Sequence, residues 1–282
     1  MAVRTSSTAA PALGARVDEV LRIFLAERRG EMVALDPSAA GAVDEIARLL
    51  DAGGKRLRPI LCYWGYRAGG GSDGIEICRA ASALELLHTM ALVHDDLIDA
   101  AAERRGVETT HVRLARVAGS AAGGRAGALL VGDLAAVLAD RLLLESGFPP
   151  EALARALDHY HRMRMAMAAG QWLELFGSPP ADARSTMHNA TLRGGAYTAE
   201  GPLAIGAALA GASGEVAETL ARFAEPLGQA FQLRDDLEDG ESAGVTASDV
   251  DALVEHALRA LAPLPREARD ALTAIGQGVA FG

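Results

Sequence analysis

Residues 84–99 read LELLHTMALVHDDLID. Apolar residues recur there at three- and four-residue spacing, and neither glycine nor proline interrupts the run from Ile75 to Asp99. This period predicts a helix over 75–99. At about 100° per residue, Asp95, Asp96 and Asp99 fall within an arc of about 100°, and His88, seven residues before Asp95, lies on the same side. Carboxylates at a helix C-terminus oppose the macrodipole, so the placement calls for a cation. Clustered hard oxygen ligands suit Mg²⁺, which keeps waters and shares itself with the phosphates of a substrate.

The segment FQLRDDLEDG at 231–240 repeats the spacing. Asp235, Asp236 and Asp239 form a second DDxxD, with Gln232 one turn earlier on the face of Asp235 and Asp236. One such motif in an acidic protein is a weak signal, because acidic residues also close solvated helices. Two on separate helices are a stronger one. If those helices face each other across a bundle, their carboxylates can hold several Mg²⁺ ions that clamp a diphosphate.

Composition narrows the alternatives. The 282-residue chain is half hydrophobic, only 4% aromatic, and carries a formal net charge of -10. An acidic chain lacks the basic stripe of a nucleic-acid binder. Cys62 and Cys78 lie in apolar contexts without ligand spacing, which predicts buried thiols in a reducing compartment. No signal-like run opens the sequence and no segment offers about eighteen uncharged apolar residues, so a cytoplasmic protein without stable membrane insertion is expected. Ala, Leu, Arg and Glu dominate, and alternating β-branched stretches are hard to find. The expected class is all-α, about ten helices punctuated at GGGSDG (69–74), FPP (148–150), GSPPAD (177–182), GASGE (211–215) and ESAGVTASD (241–249). None of these breaks is long enough for an interdomain linker, so one domain over 1–282 is expected, with 1–12 disordered.

GGKRLRP at 53–59 holds Lys55, the single lysine of the chain; every other basic side chain among the 27 is arginine. On its own the heptapeptide reads equally well as a solvated basic loop or as a phosphate site.

Five ordered segments then carry a resemblance: GGKRLRP, ELLHTMALVHDDLIDAAAERRG, LLVGD at 129–133, GGAYTAEGPLAIGAALAG and FQLRDDLED. Together they resemble the trans-isoprenyl diphosphate synthases over nearly the whole chain. The resemblance implies a single-domain helical bundle of the isoprenoid synthase type around a deep central cavity, homodimeric, with the two aspartate-rich motifs facing each other across the cavity mouth. It implies head-to-tail condensation of an allylic prenyl diphosphate with isopentenyl diphosphate. Three Mg²⁺ ions would be held with substrate bound, by Asp95, Asp96, Asp99, Asp235, Asp236 and Asp239. Lys55, Arg58, His88 and Arg105 would bind the isopentenyl diphosphate, and Arg104 the allylic one. Gln232 and Arg193 complete the implied substrate contacts, Arg193 standing where relatives carry a lysine followed by a hydroxyl residue. Guanidinium forks and one compact ammonium suit a diphosphate, which explains the retained lysine. Met90 and Ala91, five and four residues before Asp95, would line the tail pocket, and their size implies geranylgeranyl diphosphate as product.

One departure bears on activity. Relatives carry a lysine-containing loop and several further helices after the second motif, whereas here 43 residues follow Asp239 and none is lysine. The comparison implies an internal shortening of the element that closes the site. Three alternatives therefore stand beside the synthase: prenyl transfer to a non-isoprenoid acceptor, terpene cyclisation, and a low-activity partner subunit of a longer synthase.

Overall fold

The computed structural model describes residues 9–104, 106–177, 191–238 and 245–281. Its elements are α1 (Ala9–Leu35), a 3₁₀ turn (Pro37–Ala39), α2 (Ala40–Asp51), α3 (Leu57–Ala68), α4 (Ile75–Ile98), α5 (Thr110–Ala118), α6 (Ala121–Leu144), α7 (Pro150–Phe176), a π-helical segment (Thr191–Glu200), α8 (Gly201–Ala210), α9 (Gly214–Glu238), α10 (Ala247–Ala260) and α11 (Arg266–Phe281). Among the described residues the strands are two-residue pieces, β1 (Glu103–Arg104) and β2 (Val107–Glu108), paired antiparallel. The all-α expectation holds.

Helix ends follow local chemistry. Ser120 accepts from the Gly123 amide at the start of α6, and Thr246 with Asp249 forms a reciprocal capping box on α10. The glycine-rich breaks at 69–74 and 211–215 separate α3 from α4 and α8 from α9. GSPPAD lies outside the described residues after Gly177, and ESAGVTASD before Val245.

The chain divides into two compact units. One contains the described residues of Gly14–Pro59 and Cys78–Gly147. In it α2 packs on α6 and α5 on α6. Glu45 of α2, fully buried, accepts from Arg48, from Arg113 of α5 at 2.6 Å and from Thr110 Oγ1 at 3.1 Å. Burial alone would push its carboxyl up, but Arg48 and Arg113 pull it below the ordinary 4.5. From Ala80 to Met90, His88 alone escapes burial, so α4 is buried almost all round over this stretch, Ser82, Glu85 and Thr89 included.

The other unit contains the described residues of the chain start to Leu13, Ile60–Ile77 and Phe148–Gly282. Here α9 packs on the π-helical segment and on α10, and α7 on α8. Gly206 of α8 lies against the Cys62 carbonyl of α3, where any Cβ would overlap backbone. Pro202 stands in the first turn of α8, where its missing N–H costs little, directly after the π-helical segment.

Candidate active site

The first four residues of GGKRLRP lie in the connection from α2 to α3, and the last three open α3. Gly53 turns the chain with φ 90, and Arg56 follows with φ 48, a left-handed conformation that a non-glycine residue holds only where its surroundings fix it. Its guanidinium supplies that fixing: Nε donates to Asp18 of α1 at 2.8 Å, Nη1 to Glu85 of α4 at 2.7 Å, and Nη2 to the Leu50 carbonyl at 2.7 Å. Arg56 is therefore buried, while Lys55 is exposed and Arg58 half-buried on the first turn of α3. The sequence reading passed over Arg56, and its positive φ at a non-glycine residue left no local signal.

α4 presents an accessible stripe of His88, Ala91, Leu92, Asp95 and Asp99, spaced by three, four and seven residues. Met90 lies off this stripe and is buried, so of the two residues read as the tail pocket only Ala91 is accessible. The expected common acidic face divides. α4 ends at Ile98 and Asp99 lies in the following turn, while Asp96, rotated about 100° from Asp95, is buried.

Asp96 and Asp95 share one cation. Arg104, on β1, donates Nε to Asp96 Oδ1 at 2.6 Å and Nη2 to Asp95 Oδ2 at 2.8 Å. Burial pushes the Asp96 carboxyl above its usual range, against the opposing pull of the Arg104 hydrogen bond and charge. The hairpin is tied back by Thr109 Oγ1 to the Ala101 carbonyl at 2.7 Å, and Ala100 turns left-handed with φ 52 directly after Asp99. Arg105 lies outside the described residues. In LLVGD, Gly132 of α6 leaves room for the ring of His94, whose Nε2 stands 4.0 Å from Asp133.

In the other unit, Asp235 is exposed and Asp236 half-exposed on the last turns of α9. Gln232 Nε2 donates to Asp236 Oδ1 at 2.8 Å, confirming that the two share a face. Asp239 falls outside the described residues, as does the side chain of Arg193, whose backbone belongs to the π-helical segment. Gln229 of α9 fastens that segment by donating to Thr191 Oγ1 at 2.9 Å. A groove of about 1330 Å³ between α7, the π-helical segment, α8 and the start of α9 is lined by alanines interspersed with Arg155, Asp158, Arg162 and Glu218, and touches none of the predicted site residues.

Among the described residues no three His, Cys, Asp or Glu side chains already converge as a metal cage. The donor set nevertheless fits Mg²⁺. Asp95 and Asp99 offer hard oxygens one turn apart at an accessible helix end, and an ion that keeps waters and takes phosphate oxygens needs only one or two carboxylates from one side.

A helix buried over most of its length and ending on carboxylates, tied to a basic glycine loop through Arg56 and Glu85, frames the candidate site of this all-α protein. The chain belongs to the polyprenyl synthetase family, whose model matches residues 42–247. It is 33% identical over 192 residues to a geranylgeranyl diphosphate synthase of Methanosarcina mazei, covering 68% of this chain and 56% of that protein. It is 36% identical over 235 residues to a dimethylallyltranstransferase of Fischerella ambigua, covering 77% and 63%. The chain thus spans little more than half the length of the Methanosarcina relative it matches. Its fold matches the crystal structure of a geranylgeranyl pyrophosphate synthase from Corynebacterium glutamicum, complexed with isoprenyl diphosphate and magnesium, with TM-score 0.86 at 24% identity, over 95% of this chain and 98% of that one.

Proposed function

We propose that the protein is a Mg²⁺-dependent trans-prenyltransferase that condenses an allylic prenyl diphosphate with isopentenyl diphosphate head to tail, with geranylgeranyl diphosphate as product. The observation that carries this reading is the accessible stripe of α4, which bears His88 toward one end and Asp95 and Asp99 at the other. A basic set of Lys55, Arg58 and His88 in addition to the carboxylates suits two diphosphates, where a cyclase would need one.

In this reading Lys55, Arg58, His88 and Arg105 hold the isopentenyl diphosphate by charge-assisted hydrogen bonds, Arg104 the allylic diphosphate, and Arg193 serves as a further substrate-binding cation. Asp95 and Asp99, and in the other unit Asp235, Asp236 and Asp239, are the residues that would hold Mg²⁺, which would supply positive charge to a leaving diphosphate. Asp96 holds Arg104 in place by the 2.6 Å hydrogen bond and keeps its fork beside Asp95. Gln232 sets the orientation of Asp236. Ala91 and Leu92, the apolar residues of the same stripe, would lie along the prenyl chain and help keep water from the allylic cation.

A homodimer is part of the same proposal. Leu130, Val137 and Leu144 of α6 stand exposed at 65%, 60% and 52%, and their sevenfold spacing puts them on one helix face that a second copy can meet about a two-fold axis. No described helix is long and apolar enough to cross a membrane. Both cysteines are buried, and burial pushes the Cys62 thiol up to about 12, which makes it unreactive.

A second reading has its own observation. α9 ends at Glu238 and α10 begins at Ala247, a short connection for an element expected to close the site. That favours prenyl transfer to another acceptor or cyclisation. Pyrophosphate release followed continuously separates the readings: release that requires Mg²⁺, an allylic diphosphate and isopentenyl diphosphate together supports the synthase, and brisk release from the allylic diphosphate alone overturns it.

A further inference from the structure

Arg56 stands between the two basic residues assigned to isopentenyl diphosphate, yet its side chain serves the protein interior. It is 8% exposed and reaches three elements at once: Asp18 of α1, Glu85 of α4 and the Leu50 carbonyl of α2, at 2.7 to 2.8 Å. Glu85 is itself 4% exposed and lies three residues before His88 on α4. The loop it fastens begins with two glycines, Gly53 at φ 90, so the backbone alone does little to select one conformation. Arg56 and Ala100 are the non-glycine residues with positive φ among the described residues, and each directly follows a candidate ligand-binding residue, Lys55 or Asp99. Glu85, Thr89 and Asp96 share the buried face of α4, where with Arg56 and Arg104 they line one narrow internal cavity.

We propose that Arg56 and Glu85 form the positioning pair of the isopentenyl diphosphate site: their buried ion pair registers the loop carrying Lys55 and Arg58 against the helix carrying His88. The inference rests on the proposed synthase reading and adds to it residues that touch no substrate. Arginine is required because three acceptors from three directions match a planar fork, whereas an ammonium is a compact point donor that cannot span them. The allylic side has its own tie, Arg104 to Asp95 and Asp96, in which Arg56 takes no part.

The test is steady-state kinetics of Arg56→Lys and Glu85→Gln, with each substrate varied at saturation of the other. Each variant is expected to raise KM for isopentenyl diphosphate by about tenfold or more while kcat and the allylic KM stay within about threefold, because a misplaced binding group is felt chiefly by the ligand it holds. A purely structural role would lower the melting temperature and scale kcat with the folded fraction, leaving both KM values unmoved; that result overturns the proposal. If Arg56→Lys fails to fold, Glu85→Gln carries the same prediction. Failure of both to fold makes the pair a folding element and also overturns it. A wild-type protein that never consumes isopentenyl diphosphate rejects the synthase reading itself, while an active wild type with both KM values unmoved in the variants rejects the positioning pair alone.

Discussion

Lys55 is exposed on a loop whose neighbouring arginine is turned inward, so its ammonium is available to solvent or to a ligand. If it grips isopentenyl diphosphate, Lys55→Ala should remove a charge-assisted hydrogen bond worth about 1.5–3 kcal/mol, or roughly a ten- to hundredfold rise in KM for that substrate. The allylic KM should hardly move, and initial rates over a matrix of both substrates check the split. An equal rise in both constants would place Lys55 outside the isopentenyl site. At this scale the sequence was legible in residue types and blind to direction. The unusual lysine and the spacing of Asp95 and Asp99 stood out locally. The inward turn of Arg56 did not, because its partners Asp18 and Glu85 are 38 and 29 residues away. Nor did the burial of Asp96, since a single step around a helix is enough to carry a carboxylate from one face to another.

Among the elements, α4 was the most readable. Its apolar period, unbroken by glycine or proline, announced a helix, and the structure buries that helix from Ala80 to Met90 on all sides but that of His88. The π-helical segment was not readable, because side-chain periodicity does not distinguish widened turns from α-helical ones, and its tie to Gln229 comes from 38 residues away. Glu45 shows the same limit on α2: in sequence it is an ordinary polar position, and in the fold it is wholly buried beneath Arg48 and Arg113. Glu45→Gln should cost about 2–3 kcal/mol at neutral pH, below the usual value for breaking a buried pair because both arginines are partly solvated. Since its folded carboxyl lies below 4.5, the contribution is fully present above that pH and is lost as pH falls through the folded value. Urea unfolding of wild type and variant should therefore show a gap that narrows below about pH 4.5. A gap that is constant with pH would mean the carboxylate is not the origin of the stability.

For the whole molecule, family membership and an all-α fold were legible because five ordered motifs span the chain. Assembly was only implied by resemblance, and the exposed row on α6 gives it a physical basis. Placing glutamates at Leu130 and Val137 together should convert a dimer of about twice 29.2 kDa into monomers by light scattering, with the helical signal kept. A wild-type protein already monomeric at micromolar concentration would remove the second copy from the account. The central claim is that one prenyl chain is lengthened by one isopentenyl unit. It is tested most directly by mass spectrometry of the products formed from farnesyl diphosphate and carbon-13-labelled isopentenyl diphosphate with Mg²⁺. The account predicts a twenty-carbon linear prenyl diphosphate carrying a single labelled unit, with one pyrophosphate released per addition. An unlabelled cyclic hydrocarbon, or an unlabelled prenyl group joined to another acceptor, would contradict it.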